Sequence, residues 1–405
     1  MAALEVEPVD AQVLTEARAR IARAHRIIVK VGSSVLVGGS AGLIDRRIFC
    51  SLVETLALLT DVPHRRVVLV SSGAVAVGRR QAARLTGSAV GRPDTLAARQ
   101  ALASLGQPML MHLYSEEFSF YAKKVAQVLM TRDDIANRER FLNARNTFRE
   151  LEGFQDLVPI VNENDTVATE ELRFGDNDQL AALLTTVVGA DLLVILSDVR
   201  SVFDSDPTRN ADARPIGAAY ADDAALAAMA GPASDAGFGT GGMASKIRAA
   251  RMAGSFGVPT IIAPGREPES IGRILSGEAG VGTILVPRDA RLNARKAWIR
   301  FGSRPLGVIS VDEGAERAIR TQGRSLLPTG IVGVTGEFGA GAAVELQGVG
   351  GVCFGRGLAS YASAEIQKLL GARSEQIPQR LGYSNGDAVV HRDDLVVIGE
   401  REFDA

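Results

Sequence analysis

Seven short runs in which Val, Ile and Leu follow one another almost without a break set the terms for this chain. They are IIVKVG (27–32), VVLVSSG (67–73), VAQVLMT (125–131), VPIVNEND (158–165), LLVILSD (192–198), PTIIA (259–263) and GTILVP (282–287). A strand with one wet face alternates apolar and polar residues, whereas a strand covered on both faces reads as a continuous apolar run. Between the runs lie segments with helical spacing of apolar residues, among them RIFCSLVETLALLTDV, LAARQALASLGQPMLMHLYSEEFSFYAKK, RERFLNARNTFRELEGF and MASKIRAARMAGSFG. This alternation specifies an α/β fold, a mainly parallel open sheet sandwiched by helices. Ligands bind such sheets at the carboxyl edge of the strands, so the residues that close the runs are the first candidates for a site.

After Pro287 short alternating strands and Gly-rich turns replace the long helices, and a small C-terminal β-rich domain is expected. The expected division is an N-terminal extension with a polar helix over 1–25, an α/β domain over 26–290 and the β-rich domain over 291–395. A chain of 405 residues has room for two or three such units. Forty-five basic and 47 acidic residues leave no global field toward nucleic acid or an anionic membrane. Cys50 and Cys353 lie far apart without a CxxC spacing, which excludes a disulfide framework or a cysteine-held zinc. The acidic start MAALEVEPVD lacks an export signal, and the most apolar stretch is broken by Asp191. A cytoplasmic protein is expected.

The chain has only six lysines, at positions 30, 123, 124, 246, 296 and 368, and uses Arg for most positive charge. Two of the six fall in Gly-rich loops. Lys30 closes the first run just before Val31-Gly32-Ser33-Ser34, where a glycine admits a ligand and backbone N–H groups can cradle phosphate. Lys246 follows Gly237-Phe238-Gly239-Thr240-Gly241-Gly242-Met243-Ala244-Ser245 into a helix, where a positive side chain opposes the helix dipole unless an anion answers it. Neither loop is a GxxxxGK[ST] P-loop. Ser71-Ser72-Gly73-Ala74 closes the second run; such a segment caps a helix and can also hold an anion.

The densest polar cluster is Asn162-Glu163-Asn164-Asp165, followed by Gly175-Asp176-Asn177-Asp178 at a helix start. Carboxylates there can hold an amino group and amide N–H₂ groups a carboxylate, the profile of an amino-acid substrate. Ser197-Asp198 ends another strand before VRSVFDSDPTRN, a hairpin-like or lid-like loop. No His stands at the sheet edge. Together these features point to phosphoryl transfer onto an acceptor carboxylate, which is already ionised at pH 7 and needs no base.

In this order KVGSSVL, VSSGA, RERFLNARNT, NENDTVA, GDND and TGGMASK resemble the amino acid kinase family, and RKAWIRFG, VDEGAERAI, SLLPTGI and AVVHRDD resemble a PUA domain. The resemblance implies ATP-dependent phosphorylation of the γ-carboxylate of L-glutamate, the opening step of proline biosynthesis, with Mg²⁺ bridging the β- and γ-phosphates. It implies that Lys30 and Lys246 contact ATP phosphates and that Asp178 holds both lysines. Ser72, Asp165 and Asn177 would contact glutamate. Ser197, Asp198 and the loop Thr240, Gly241, Gly242, Met243, Ala244, Ser245 and Lys246 would form the nucleotide site. A homo-oligomer, dimer or tetramer, and a glutamyl phosphate reductase partner are implied in the same way. Ser34, Ser71 and Ser197 stand where Thr is commoner, and each keeps a hydroxyl. Alternative acceptors are N-acetylglutamate, aspartate or a nucleoside monophosphate; Asp165 favours a free amino group. RNA binding through the PUA-like part is the reading from another class, and the balance of basic and acidic residues there disfavours it.

Overall fold

RIIVKV forms β1 (Arg26–Val31), a strand whose only exposed residue is its first. It lies near the middle of the sheet around which the larger part of the chain is built. In the computed structural model the described residues are 6–38, 43–91, 93, 95–168, 177–207, 210, 212–229, 242–288, 296 and 298–398. They divide into two compact units, Met1–Ile135 with Glu139–Arg291, and Ala136–Arg138 with Leu292–Ala405.

The first unit opens with α1 (Ala11–Ala22), followed by β1, α2 (Ser33–Leu36) and the two-residue strands β2 (Val37–Gly38) and β3 (Leu43–Ile44). Then come α3 (Arg46–Asp61), β4 (Arg66–Ser71), α4 (Ala74–Thr86), α5 (Leu96–Ser119) and β5 (Lys124–Met130). Next are α6 (Arg132–Ala136), α7 (Arg138–Glu152), β6 (Leu157–Glu163), α8 (Asn177–Val188) and β7 (Leu192–Ser197). The unit continues through β8 (Val202–Phe203), β9 (Pro215–Ile216), β10 (Ala218–Tyr220), α9 (Ala224–Met229) and α10 (Met243–Ser255). It closes with β11 (Thr260–Pro264), α11 (Ser270–Leu275) and β12 (Thr283–Val286).

Eight strands form one sheet in the order β10-β12-β11-β7-β1-β4-β6-β5. From β11 to β5 every neighbouring pair is parallel; β12 runs antiparallel to β11. All seven apolar runs are strands of this sheet. What the pattern missed are β10 and the small hairpin β2–β3, whose two or three residues are too short to show a period, whereas the hairpin-like segment after Asp198 does contain β8, which pairs antiparallel with β9. The long segment from Leu96 ends as a helix at Ser119, and Ala122 then takes φ +56° to turn the chain into β5.

Alternation along each strand decides which layer a side chain enters. Ile27, Val29, Val31, Leu69, Leu192 and Val194 pack with Phe49, Leu52 and Leu56 of α3 and with Leu110, Tyr114 and Phe118 of α5 in one core. Lys30 has the opposite parity and reaches the layer of α8 and α10. The N-terminal helix is less peripheral than its polar sequence suggests, since Ala17 and Ile21 are buried and Ile21 joins that core. Ahead of it Glu7 pairs with Arg288 at 2.8 Å, and the Arg288 guanidinium lies 3.9 Å from the Tyr220 ring centroid, which fastens the segment beside edge strand β10.

The second unit carries β13 (Gly307–Val311), β14 (Ile331–Thr335), β15 (Ala343–Gln347), β16 (Cys353–Ala359) and β17 (Val390–Val397) in a sheet of order β14-β13-β15-β16-β17. Ile309, Val344, Leu346, Phe354, Tyr361 and Ile366 form its own core.

Helices α4 and α5 pack backbone against backbone. A Cβ at Gly78 would stand 1.8 Å from the Leu102 carbonyl oxygen, and one at Gly106 would stand 1.8 Å from that of Ala74. Both obstacles are backbone, so the helices themselves would have to separate. Gly78→Ala is expected to destabilise the protein by about 3 kcal/mol, seen as a lower midpoint in urea; an unchanged midpoint contradicts this packing.

Candidate active site

Three residues far apart in sequence meet above the carboxyl ends of β1 and β7. Lys30 is the penultimate residue of β1, Asp178 the second residue of α8 and Lys246 the fourth residue of α10. The Lys30 ammonium stands 2.5 Å from Asp178 Oδ1, and the Lys246 ammonium 3.3 Å from Oδ2 of the same carboxylate. Ser245 Oγ donates to Oδ2 at 3.2 Å. All three charged residues are buried, Asp178 completely. Burial alone would push the Asp178 carboxyl up, but the charges and direct contacts of Lys30 and Lys246 more than offset it and hold the group below its ordinary range. Placing Asp178 in the first turn of α8 adds the favourable end of that helix dipole.

Lys246 lies in the first turn of α10, where the dipole is unfavourable to a cation. The carboxylate of Asp178 supplies the answering negative charge from within the protein. The helix begins at N-cap Gly242 without a side-chain cap. Gly32 is not required by backbone conformation, with φ −84°, and a Cβ there would meet Lys30 Nζ at an ordinary 3.5 Å. The protein packing would tolerate a side chain at position 32; its absence keeps space open in front of the ammonium.

A second group of polar side chains adjoins the first. Asn177 Nδ2 donates to Asn162 Oδ1 at 2.8 Å and to Ser72 Oγ at 2.9 Å. Asp165, just past the end of β6, lies 3.6 Å from Arg99 Nε on α5. The same helix fastens the following loop, with Gln100 Nε2 donating to the Ala168 carbonyl and Ser104 sharing a hydrogen bond with Thr166. Ser197 is buried at the end of β7, its hydroxyl donating to Asp198 at 3.3 Å and accepting from the Val199 N–H, while Asp198 is exposed. Met243 and Ala244 occupy the first turn of α10. Thr240 and Gly241, like Gly175 and Asp176, lie outside the described residues.

Lys30, Asp178, Lys246 and Ser245 thus form one cluster, and Ser72 with Asn177 form its neighbour. The sequence reading missed Arg99, Gln100, Ser104 and Gln107 because α5 reads as a core helix. Its signal was a polar stripe at i, i+4 and i+7, residues 100, 104 and 107, on an otherwise apolar segment.

The description of the amino acid kinase family matches residues 25–264. The chain belongs to the amino acid kinase family. A PUA domain matches residues 307–381, inside the second unit. Curated relatives carry the name Glutamate 5-kinase. That of Geobacter sulfurreducens is 44% identical over 93% of this chain and 99% of its own length. That of Cyanothece sp. is 46% identical over 92% of this chain and 99% of its own. For this amino acid kinase the match spans both clusters and the strands that carry them.

The lowered Asp178 value fixes the sign of a pH effect. The unfolded chain takes up the proton first, so the stabilisation is complete above the ordinary value near 3.8 and is lost as pH falls toward the folded value. Asp178→Ala is expected to remove that part of the acid dependence. At pH 7 it should also cost ~3–5 kcal/mol by leaving two buried ammonium groups without their shared counter-charge. Urea unfolding from pH 7 to pH 3 measures both; identical curves for variant and wild type contradict the assignment.

Proposed function

We propose that this chain catalyses the reaction for which its curated relatives are named, transfer of the ATP γ-phosphoryl group to the γ-carboxylate of L-glutamate, giving L-glutamyl 5-phosphate and ADP. The observation that carries the reading is the pair of buried lysines converging on one buried carboxylate at the sheet's carboxyl edge, beside the N-terminus of a helix. Such an array is complementary to the charge that spreads over the oxygens of a transferring phosphoryl group.

In this reading Lys30 and Lys246 stabilise the non-bridging oxygens, and Asp178 keeps the ammonium groups at a fixed separation. Ser72, Asp165 and Asn177 bind glutamate. Ser197, Asp198, Gly242, Met243, Ala244 and Ser245 contact the nucleotide, together with Thr240 and Gly241. A carboxylate oxygen attacks the γ-phosphorus, the bond to the β-phosphate oxygen breaks, and ADP leaves with the electron pair. The nucleophile is already an anion, so no general base is required. Burial of the lysines excludes water, which would otherwise compete for the phosphoryl group and screen the charges.

Mg²⁺ belongs to the same proposal. Among the described residues no group of three or more His, Cys, Asp or Glu is placed to hold a metal ion. Asp178 meanwhile is engaged by the lysines. The residues present fit a cation carried on the nucleotide phosphates, where it would neutralise charge, rather than one in a protein cage.

Residues 26–290 form the catalytic domain in this proposal and 291–395 the PUA-like domain, with 1–25 an extension. The enzyme is read as a cytoplasmic homo-oligomer, dimer or tetramer. Its unstable acyl phosphate is the substrate of a glutamyl phosphate reductase, and this step opens proline biosynthesis. Among the described residues no helix is long and apolar enough to cross a membrane.

The test is ATP turnover with Mg²⁺ against L-glutamate, aspartate, N-acetylglutamate and UMP, trapping acyl phosphate with hydroxylamine. Hydroxamate is expected from L-glutamate alone, and Lys246→Ala is expected to lower kcat by about 100-fold or more. Turnover confined to another acceptor overturns the substrate, and a fully active variant overturns the role of Lys246.

A further inference from the structure

Asn162 sits between the two sides of the substrate cluster, and its amide is held from both ends. The Glu163 N–H, which can only donate, donates to Asn162 Oδ1 at 2.9 Å. The Asn162 oxygen therefore faces Glu163 and Asn177, and its Nδ2 faces α5, donating to Gln107 Oε1 at 2.9 Å. Gln107 Nε2 in turn donates to Gln127 Oε1 on β5 at 3.3 Å. Because Asn162 presents an acceptor, Asn177 must meet it with Nδ2, at 2.8 Å. Both Nδ2 hydrogens of Asn177 are taken up within the protein, by Asn162 and by Ser72 Oγ and the Ser71 carbonyl oxygen at 2.9 and 3.2 Å. The polar atom that this side chain can still offer a ligand is its carbonyl oxygen.

We propose that Gln107 is a positioning residue that acts through Asn162 to hold Asn177 with its carbonyl oxygen toward the acceptor substrate, where it accepts a hydrogen bond from the α-ammonium group. This rests on the amino-acid kinase reading above and changes one of its details. From the sequence, an amide in this cluster was expected to use its N–H₂ on a substrate carboxylate; at Asn177 those hydrogens are occupied. Asn177 and Asp165 then select together for a free ammonium group, and Gln107 contributes to that selection without touching the substrate.

The chemistry separates Gln107→Leu from Gln107→Glu. The leucine removes one of the two partners that orient Asn162, leaves its N–H₂ without an acceptor and lets both asparagines shift from the geometry in which Asn177 presents its oxygen. The glutamate keeps an oxygen for Asn162 Nδ2. Steady-state kinetics with L-glutamate and with glutarate, which has the same carboxylates but no amino group, read the effect. For Gln107→Leu, kcat/KM for L-glutamate is expected to fall about tenfold through KM. Glutarate turnover and the KM for ATP should stay at their wild-type values. Gln107→Glu is expected to restore most of the loss.

Equal losses for L-glutamate and glutarate, equal losses in both variants, or no loss at all overturn the proposal. Its failure is distinguishable from failure of the functional reading. Wild-type turnover of aspartate in place of L-glutamate overturns only the acceptor identity, and the same comparison then runs with aspartate and succinate. Turnover only of acceptors without an ammonium group, such as N-acetylglutamate or UMP, or no turnover with any of them, overturns both.

Discussion

The structure depends on one carboxylate shared by two ammonium groups. Asp178 is inaccessible to solvent, and an isolated charge there would cost several kcal/mol, a large fraction of the net stability of a domain. Lys30 and Lys246 make its burial possible, and it makes theirs possible. The cluster ties together three elements: strand β1, helix α8 and helix α10. A change that displaced any one of them would strand a buried charge. Stability and function therefore pull in the same direction here, because the geometry that keeps the charges paired also holds two cations a fixed distance apart.

The parallel sheet supplies the frame. Carboxyl ends of β1, β4, β6 and β7 lie side by side; Ser197 closes β7, and the segments that follow β4 and β6 carry Ser72, Asp165, Asn177 and Asp178. Parity along β1 sends Lys30 away from the Phe49 and Tyr114 core and toward α8. On the far side of the cluster, α5 acts as a second scaffold. Its glycine contact with α4 brings it close, and its Arg99, Gln100 and Ser104 fasten the loop after β6. A rigid helix behind a binding loop holds the loop's carboxylate and amide groups more firmly than the loop could alone.

Much of this was legible in the sequence, for definite reasons. Strands buried on both faces read as continuous apolar runs, and six of the seven runs are such strands; the seventh, β5, lies at the sheet's edge with only Met130 fully buried, so its apolar run overstated its burial. A lysine in the first turn of a helix, in a chain that otherwise prefers arginine, called for an anion nearby. The structure supplies one in Asp178, whose own place at a helix start was equally visible. What the sequence could not carry was direction. Nothing in the letters of Asn177 says whether its nitrogen or its oxygen faces a ligand, because that depends on a backbone N–H at Glu163 and an amide on a helix more than fifty positions earlier in the chain. Arg99 and Gln107 were hidden for a related reason: α5 is apolar on most sides, so its few polar residues looked incidental until the fold set them beside β6. Short elements such as β10 escaped because two or three residues cannot establish a period.

In the proposed function Asp178 organises the two lysines for phosphoryl transfer rather than merely allowing their burial. Asp178→Asn tests it directly, because the amide fills the same volume but no longer carries the charge that draws both ammonium groups together. Rapid-quench measurement of a single turnover of ATP with saturating L-glutamate, on variant protein shown by its circular dichroism to be folded, gives the rate of the chemical step. That rate is expected to fall by about 100-fold or more with little change in substrate affinity. A folded variant that transfers the phosphoryl group at the wild-type rate would contradict it.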